Sequence, residues 1–314
     1  MPAHPCDTGR LSAVGRLSVI GNISRDRPRY PDRAAHEQLG GAALLVALAA
    51  VRAGMPAAPV AVVGDDLAHL PGAVVLEGLD WTALGIQNGV SASFSLNYDT
   101  AGGLVSVVTE YGVAVQGTEH ALRHVEAHLD DAYHLCCRRP LDVARLLDVL
   151  VSRAGRFSVD FFLPSAQELI PRAVPWLHSA AFVFVNLSEY RLLAEAVDIS
   201  ALPELVITDG PRGARVLVRG VPIAASSPPI PVDGEVTGAG DTLAGTYLAR
   251  RHAGAEPDIA LSAGVAAASA HIRSLPLPVP TPLVTHAVHD ARPTDGSFRC
   301  TTSPTDCSPP MTGS

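Results

Sequence analysis

Ten consecutive residues, Val236-Thr237-Gly238-Ala239-Gly240-Asp241-Thr242-Leu243-Ala244-Gly245, join small residues, one acid and the start of an apolar helix. Leu243, Tyr247 and Leu248 recur at helical spacing, Arg250 and Arg251 fall in a last turn and Gly254 lies just beyond, so the helix runs forward from the glycines. Gly238, Ala239 and Gly240 then sit at its N-terminus, where unpaired backbone N–H groups and the helix dipole favour a phosphate or a developing oxyanion. A carboxylate beside an anion hole repels the anion. Asp241 therefore makes chemical sense as a base that takes a proton from an attacking hydroxyl while the N–H groups hold the charge that moves. For so short a motif alone, a plain Gly-rich turn with Asp as the helix cap is the commoner reading.

A second group of polar residues follows the apolar run Leu17-Ser18-Val19-Ile20-Gly21, which reads as a buried first strand. The loop after such a strand is where α/β sheets place ligands, and Asn22 and Asp26 stand in it as turn formers or as ligands. Residues 26–40 carry Arg27, Arg29 and Arg33 with Pro28 and Pro31, too broken for a helix and read as a solvated basic loop. Gly40-Gly41 opens a run of Ala, Leu and Val over 42–53 that ends at Gly54, a buried helix. A second buried strand over 59–64 leads into Asp65-Asp66, expected in a turn and N-cap. The stretch 93–108 alternates in period two around a polar turn and reads as a hairpin. Strand-like and helix-like segments then alternate: strands over 132–136, 156–161 and 181–185, helices over 140–154 and 166–177. This rhythm predicts a parallel sheet covered on both faces.

Composition narrows the function classes. With 47% hydrophobic and 17% charged residues, the 314-residue chain can bury a sizeable core as one large α/β domain. No apolar run is long enough to span a membrane and the N-terminus lacks a basic region followed by an apolar one, so the expected location is cytoplasmic. The five cysteines are an odd number, with Cys6, Cys300 and Cys307 near the termini, which argues against a disulfide framework. His134, Cys136 and Cys137 are too close for the usual zinc spacing and read as buried groups. A formal net charge of −8 argues against nucleic-acid binding through a basic face. The chain has no lysine, so phosphate chemistry must rest on N–H groups, arginine and metal.

Thr237-Gly238-Ala239-Gly240-Asp241-Thr242 resembles the C-terminal signature of the PfkB (ribokinase-like) family of carbohydrate and nucleoside kinases. Other family elements follow in order: Gly21-Asn22-x-x-x-Asp26, Gly40-Gly41, a Val-Gly-Asp-Asp stretch ending at Asp66, Asn186-x-x-Glu189 and the turn from Thr208 through Gly210 to Gly213. The resemblance, over about residues 17–275, implies a three-layer α/β/α fold with a mostly parallel central sheet and a small, reduced β lid from about 26–40 and 90–112. It implies a kinase domain over 1–290, followed by a Pro/Ser/Thr-rich disordered tail over 291–314. The implied reaction is ATP-dependent phosphorylation of a hydroxyl on a sugar, a cyclitol such as inositol, or a nucleoside, with Asp241 as base. Asp26, near Asn22, would hold acceptor hydroxyls, Phe94 would line the lid, and the arginines of the short lid would help screen the transferred phosphate.

Further roles follow the same resemblance. Asn186 and Glu189 belong to magnesium and phosphate binding, with Glu189 as the metal residue acting through bound waters. Thr208, Gly210, Gly213 and Thr237 belong to nucleotide binding, and Gly264 lies on a helix that lines the adenine pocket. Two departures matter. Leu45 stands where the family places a sugar-binding asparagine, which argues against ribose- or fructose-type recognition. Glu235-Val236 replaces the usual Asp-Thr beside a monovalent-cation site, which leaves K⁺ open, and the resemblance separately allows a homodimer through the lid. A ligand-binding regulatory relative is the alternative function. A dinucleotide oxidoreductase is disfavoured because no G-x-G-x-x-G follows the first strand.

Overall fold

The computed structural model describes residues 15–154, 156–229, 234 and 236–280. Cys6, Glu235, Cys300, Cys307 and the tail expected from residue 291 lie outside the described residues. The chain begins with β1 (Leu17–Ile20), then forms β2 (Ser24–Arg29) and β3 (Gln38–Gly40) before α1 (Ala42–Arg52) and β4 (Ala57–Val63). After β5 (Leu84–Ile86) comes the hairpin of β6 (Ala92–Tyr98) and β7 (Leu104–Glu110), followed by α2 (Gly117–Ala127). An alternating series continues with β8 (Ala132–Cys137), α3 (Val143–Val149), β9 (Phe157–Phe161), α4 (Leu163–Leu177), β10 (Phe182–Asn186), α5 (Leu187–Ala196) and β11 (Glu204–Thr208). The hairpin of β12 (Ala214–Val218) and β13 (Val221–Ser226) precedes the last two helices, α6 (Ala239–His252) and α7 (Pro257–Arg273).

Nine strands form the main sheet in the order β13-β12-β11-β10-β9-β8-β1-β4-β5, parallel except at β12 and β13. Its strands are apolar on both faces, as a parallel sheet sandwiched by helices requires. Leu17 and Val19 of β1 and Cys136 of β8 pack in the core with α1, α6 and α7. Ile20, Leu135 and Cys137 pack in the opposite core with α2, α3 and α4. This is the three-layer, mostly parallel architecture expected from the sequence. A second sheet, β3-β2-β6-β7, supplies the small β element.

Three local expectations are corrected. Residues 24–29 are a strand rather than a basic loop: Ser24, Asp26 and Pro28 point inward, while Arg27 and Arg29 are exposed. The helix expected from 140 begins at Val143, capped by Asp142, whose side chain accepts from Arg145 N–H, and turns π-helical over Leu150–Ala154. Asp65 and Asp66 cap nothing; Asp65 accepts from Gly89 N–H and Asp66 from Ser91 N–H and Oγ, tying two loops together. Helix α2 carried no sequence expectation. In the turn before α6, the backbone N–H of Ala239 is not free either.

Candidate active site

The carboxyl ends of the parallel strands, the N-terminus of α6 and the inner face of the small sheet enclose one cavity of about 620 Å³, large enough for substrate-sized ligands. Gly238 caps α6 with φ 83°, the left-handed region that suits glycine. A Cβ there would also meet Leu45 Cδ1 at 2.5 Å, so the turn and α1 fix each other. Ala239 N–H donates to the Val236 carbonyl at 3.1 Å inside the turn, contrary to the expectation that it faces a ligand. The helical ladder begins with Thr242 N–H to the Gly238 carbonyl at 2.9 Å, which leaves the first-turn N–H groups of Gly240 and Asp241 at the helix opening. His271 Nε2 bonds the Thr237 carbonyl at 2.8 Å, Tyr98 hydroxyl bonds Thr237 Oγ1 at 2.8 Å, and Val236 N–H donates to Tyr30 hydroxyl at 3.3 Å. The Tyr30 and Tyr98 rings stack with centroids 4.8 Å apart, so the small sheet holds the turn that opens α6.

Asp241 faces the cavity from the first turn of α6, and its neighbours include groups the sequence did not nominate. Arg138, one residue beyond β8, places Nη2 against the Asp160 carboxylate of β9 and 3.8 Å from Asp241 Oδ1. The Arg138 guanidinium also lies 5.3 Å from the centre of the Phe162 ring. Burial pushes the Asp241 carboxyl up; Arg138 opposes that shift and Asp160 adds to it. Burial would raise Asp160 too, but Arg138 and then His134 override it and hold this carboxyl below its ordinary value. His134 Nε2 lies 3.6 Å from Asp160 Oδ1, while His134 Nδ1 bonds Ser158 Oγ at 2.8 Å. The ligand atoms of His134, Cys136 and Asp160 lie within 4.8 Å of one another, because His134 and Cys136 share a face of β8 and Cys136 pairs with Asp160 in register. Three atoms here are buried without a hydrogen-bond partner: His134 Nε2, Asp160 Oδ1 and Arg138 Nε. The available signal was a single acid inside the buried strand Phe-Ser-Val-Asp-Phe and an arginine pair at the exit of β8.

At the end of the cavity where the sequence places the acceptor, Asp26 is 5% exposed and its Oδ1 accepts from Ser24 Oγ at 2.7 Å. Gly40 backs it: a Cβ there would lie 2.0 Å from Asp26 Oδ2. Gly41, at φ 96°, would place a Cβ 2.3 Å from the Asn22 carbonyl, so both glycines are required by close approach rather than by flexibility. Asn22 Nδ2 donates to the Arg139 carbonyl at 3.3 Å and its Oδ1 is buried without a partner. Phe94, the register partner of Asp26, lines the same cavity with Leu45 and Phe162. Gly40 lies behind Asp26 and is not on the wall. The arginines expected to screen phosphate face away from it: Arg25 and Arg27 pair with Glu37, Arg25 also with Asp66, and Arg33 lies over the Tyr30 ring.

The opposite end carries the expected nucleotide residues. Thr208 ends β11, and Gly210 and Gly213 shape the turn into β12; a Cβ on Gly213, at φ 97°, would lie 2.1 Å from the Ser226 carbonyl. Asn186 and Glu189 form a reciprocal capping box on α5: Asn186 Oδ1 accepts from Ser188 and Glu189 N–H, and Glu189 Oε2 accepts from Asn186 N–H at 2.8 Å. Glu189 nonetheless lines the cavity, and burial, reinforced by Asp160 and Asp241, pushes its carboxyl up to about 8. Gly264 packs against Leu243 and is not on the cavity wall, whereas Val265, Ala268, Ser269 and Ile272 of the same helix are.

Known proteins share this fold. Residues 15–276 match the pfkB family carbohydrate kinases. A cytidine kinase of Thermococcus kodakarensis is 29% identical over 249 residues, covering 74% of this chain and 87% of that protein. Among solved structures, a Burkholderia thailandensis nucleoside kinase in complex with inosine superposes with a TM-score of 0.65 at 19% identity, covering 83% of this chain and 92% of that one. The adenosine kinase of Sinorhizobium meliloti gives 0.67 at 16% identity, with 85% and 96% covered. At those identities the structures speak to the fold. The family match spans most of the chain and takes in both ends of the cavity: this protein belongs to the pfkB family of carbohydrate kinases.

Proposed function

We propose that the protein transfers the γ-phosphoryl group of ATP to a sugar hydroxyl of a nucleoside, with cytidine the first candidate. The observation that carries this reading is the make-up of the acceptor end. Asp26 and Asn22 offer polar groups for adjacent hydroxyls, while Leu45, Phe94, Leu96 and Phe162 give an apolar and aromatic wall suited to a base rather than to a ring bearing hydroxyls all round. A hydroxyl set against Leu45 would lose a hydrogen-bond partner, at about 1–3 kcal/mol, which disfavours free ribose and fructose phosphates. The curated cytidine kinase and the structural relatives named for nucleosides support the same class.

Asp26 holds the acceptor so that its reacting hydroxyl reaches the Asp241 carboxylate, which removes the proton as the oxygen attacks the γ-phosphorus in line. The N–H groups at the opening of α6 and the positive end of the helix dipole stabilise the charge that gathers on the phosphoryl oxygens. A divalent cation fits here. Five carboxylates, Asp26, Asp160, Glu189, Asp209 and Asp241, line the cavity, and the Glu189 carboxyl is pushed up by burial and then by Asp160 and Asp241, a shift that a cation beside it would oppose. Their hard oxygen donors suit Mg²⁺, which Glu189 would help to hold; when bound, the ion would neutralise charge on the phosphates. The thiol of Cys136 does not suit that ion, so His134 and Cys136 serve to back Asp160.

The test is ADP formation with MgATP against a panel of nucleosides, cyclitols, ribose and fructose phosphates. A nucleoside should reach kcat/KM of roughly 10⁴ M⁻¹s⁻¹ or more, and ribose should fall well below it. A cyclitol or ribose as best acceptor would overturn the assignment.

A further inference from the structure

The geometry points to Arg138 as the residue that binds the γ-phosphoryl group directly and stays with it during transfer; this rests on the kinase reading above. Arg138 is the only cationic side chain among the described residues that line the cavity, against five carboxylates, and the chain has no lysine to take its place. A cavity of that sign repels a triphosphate unless something in it is positive. Arg25 and Arg27 of the small sheet are spent on Glu37 and Asp66 outside it, and Arg29 is exposed and absent from its wall.

Its placement singles out the reacting phosphate. Arg138 emerges at the carboxyl end of β8 and reaches past Asp160 to within 3.8 Å of Asp241, the group that takes the acceptor proton. A guanidinium beside the base is beside the oxygen that the base activates, and so beside the phosphorus that this oxygen attacks. The fork is also underused. Nη2 serves Asp160, with the longer contact to Asp241, and Nε is buried without any acceptor. A guanidinium carries five N–H donors in a plane that matches the oxygens of a phosphoryl group. Asp160, itself backed by His134 and Cys136, and the Phe162 ring hold that plane in place before a ligand arrives.

In the transfer, the acceptor O–H bond breaks and its proton goes to an Asp241 carboxylate oxygen. The oxygen's electron pair forms the new bond to the γ-phosphorus, the bond from that phosphorus to the bridging oxygen breaks, and its electron pair leaves on ADP. Arg138 donates hydrogen bonds to the non-bridging oxygens throughout and neither gains nor loses a proton.

The experiment is calorimetric titration of the whole protein with Mg²⁺ and either ADP or the non-hydrolysable β,γ-imido analogue of ATP. Arg138→Gln should weaken the imido analogue at least tenfold, the range for charged hydrogen bonds, and leave ADP within twofold. Because that variant strands Asp160 buried without its partner, the titration is repeated with R138Q/D160N, which removes both charges, and with Arg138→Lys. The double variant should show the same selective loss, and lysine, which keeps the charge but not the fork, should recover part of it. A structural role alone would weaken both nucleotides together or neither, and either result overturns the assignment. Wild-type protein that binds neither nucleotide overturns the kinase reading, and this proposal with it.

Discussion

Two buried arginine–carboxylate clusters sit at opposite ends of the same parallel sheet, and they differ in how completely they are satisfied. At the amino ends of β1 and β8, Arg16 donates through Nε and Nη2 to Asp131 and through Nη1 to Asp80 and Thr82. Asp131 also accepts from Ser18 Oγ at 2.7 Å, and Asp80 from Thr82 N–H and Oγ1. At the carboxyl ends, Arg138, Asp160 and Asp241 use the same two residue types, yet Arg138 Nε is buried without an acceptor and Asp160 Oδ1 meets His134 Nε2 only at 3.6 Å. Arg16 spends Nε, Nη1 and Nη2 on partners, whereas Arg138 keeps a buried donor unused on the cavity wall. The first cluster pins strands; the second keeps a donor beside the cavity, where the proposed substrate would meet it.

The comparison can be broken by removing the matching arginine. Arg16→Met should destabilise the protein by about 1–3 kcal/mol, because it removes the charged donor that Asp131 and Asp80 share and leaves Asp131 with only Ser18 and His124, while kcat stays within about twofold. Chemical denaturation paired with steady-state kinetics checks this, and a large loss of kcat would erase the distinction. On the catalytic side, Asp26→Ala should raise KM for the acceptor by roughly one to two orders of magnitude and leave KM for ATP nearly unchanged. Equal effects on both would move Asp26 out of the acceptor site.

The amino-end cluster also predicts a pH dependence. Burial would raise the Asp131 carboxyl, but hydrogen bonds from His124, Arg16 and Ser18 hold it down to about 2. Its folded pKa lies below the unfolded carboxylate value of about 3.9, so the fold favours the ionised form. That contribution, about 1–2 kcal/mol once solvent screening of a half-buried carboxylate is allowed for, is present above the unfolded value and is lost as pH falls through 2. Denaturation of wild type and Asp131→Asn across pH 2–6 should converge at the acid end; a constant gap would exclude the linkage. The smallest effect expected is at Leu45. Leu45→Asn should improve ribose turnover by no more than about tenfold, because the side chain packs on Gly238 as well as facing the cavity.

What the sequence made legible follows the same division. Strands such as β1, β4 and β10 are apolar on both faces, and a buried parallel strand has few other ways to look. Strand β2 escaped because its inward residues are Ser24, Asp26 and Pro28: the first two line the cavity rather than the core, so no apolar periodicity marks it. Helix α2 escaped because Ala121, Leu122 and Val125 are its few buried apolar residues and His120, His124 and Glu126 interrupt the pattern. Asp241, Gly238 and Glu189 were legible because a local motif carries them. Arg138 and Asp160 were not, since their meaning arises only when β8, β9 and α6, far apart in the chain, bring them to one wall.

The central claim is that Asp241 is the base of a phosphoryl transfer, and Asp241→Asn tests it most directly. With MgATP and the best acceptor of the nucleoside panel, the variant should lose roughly 10²–10⁴ in kcat. Its ATP affinity should hold and its melting temperature should be unchanged or higher, because a carboxylate that burial and Asp160 disfavour has been neutralised. A kcat within threefold of wild type would contradict the account.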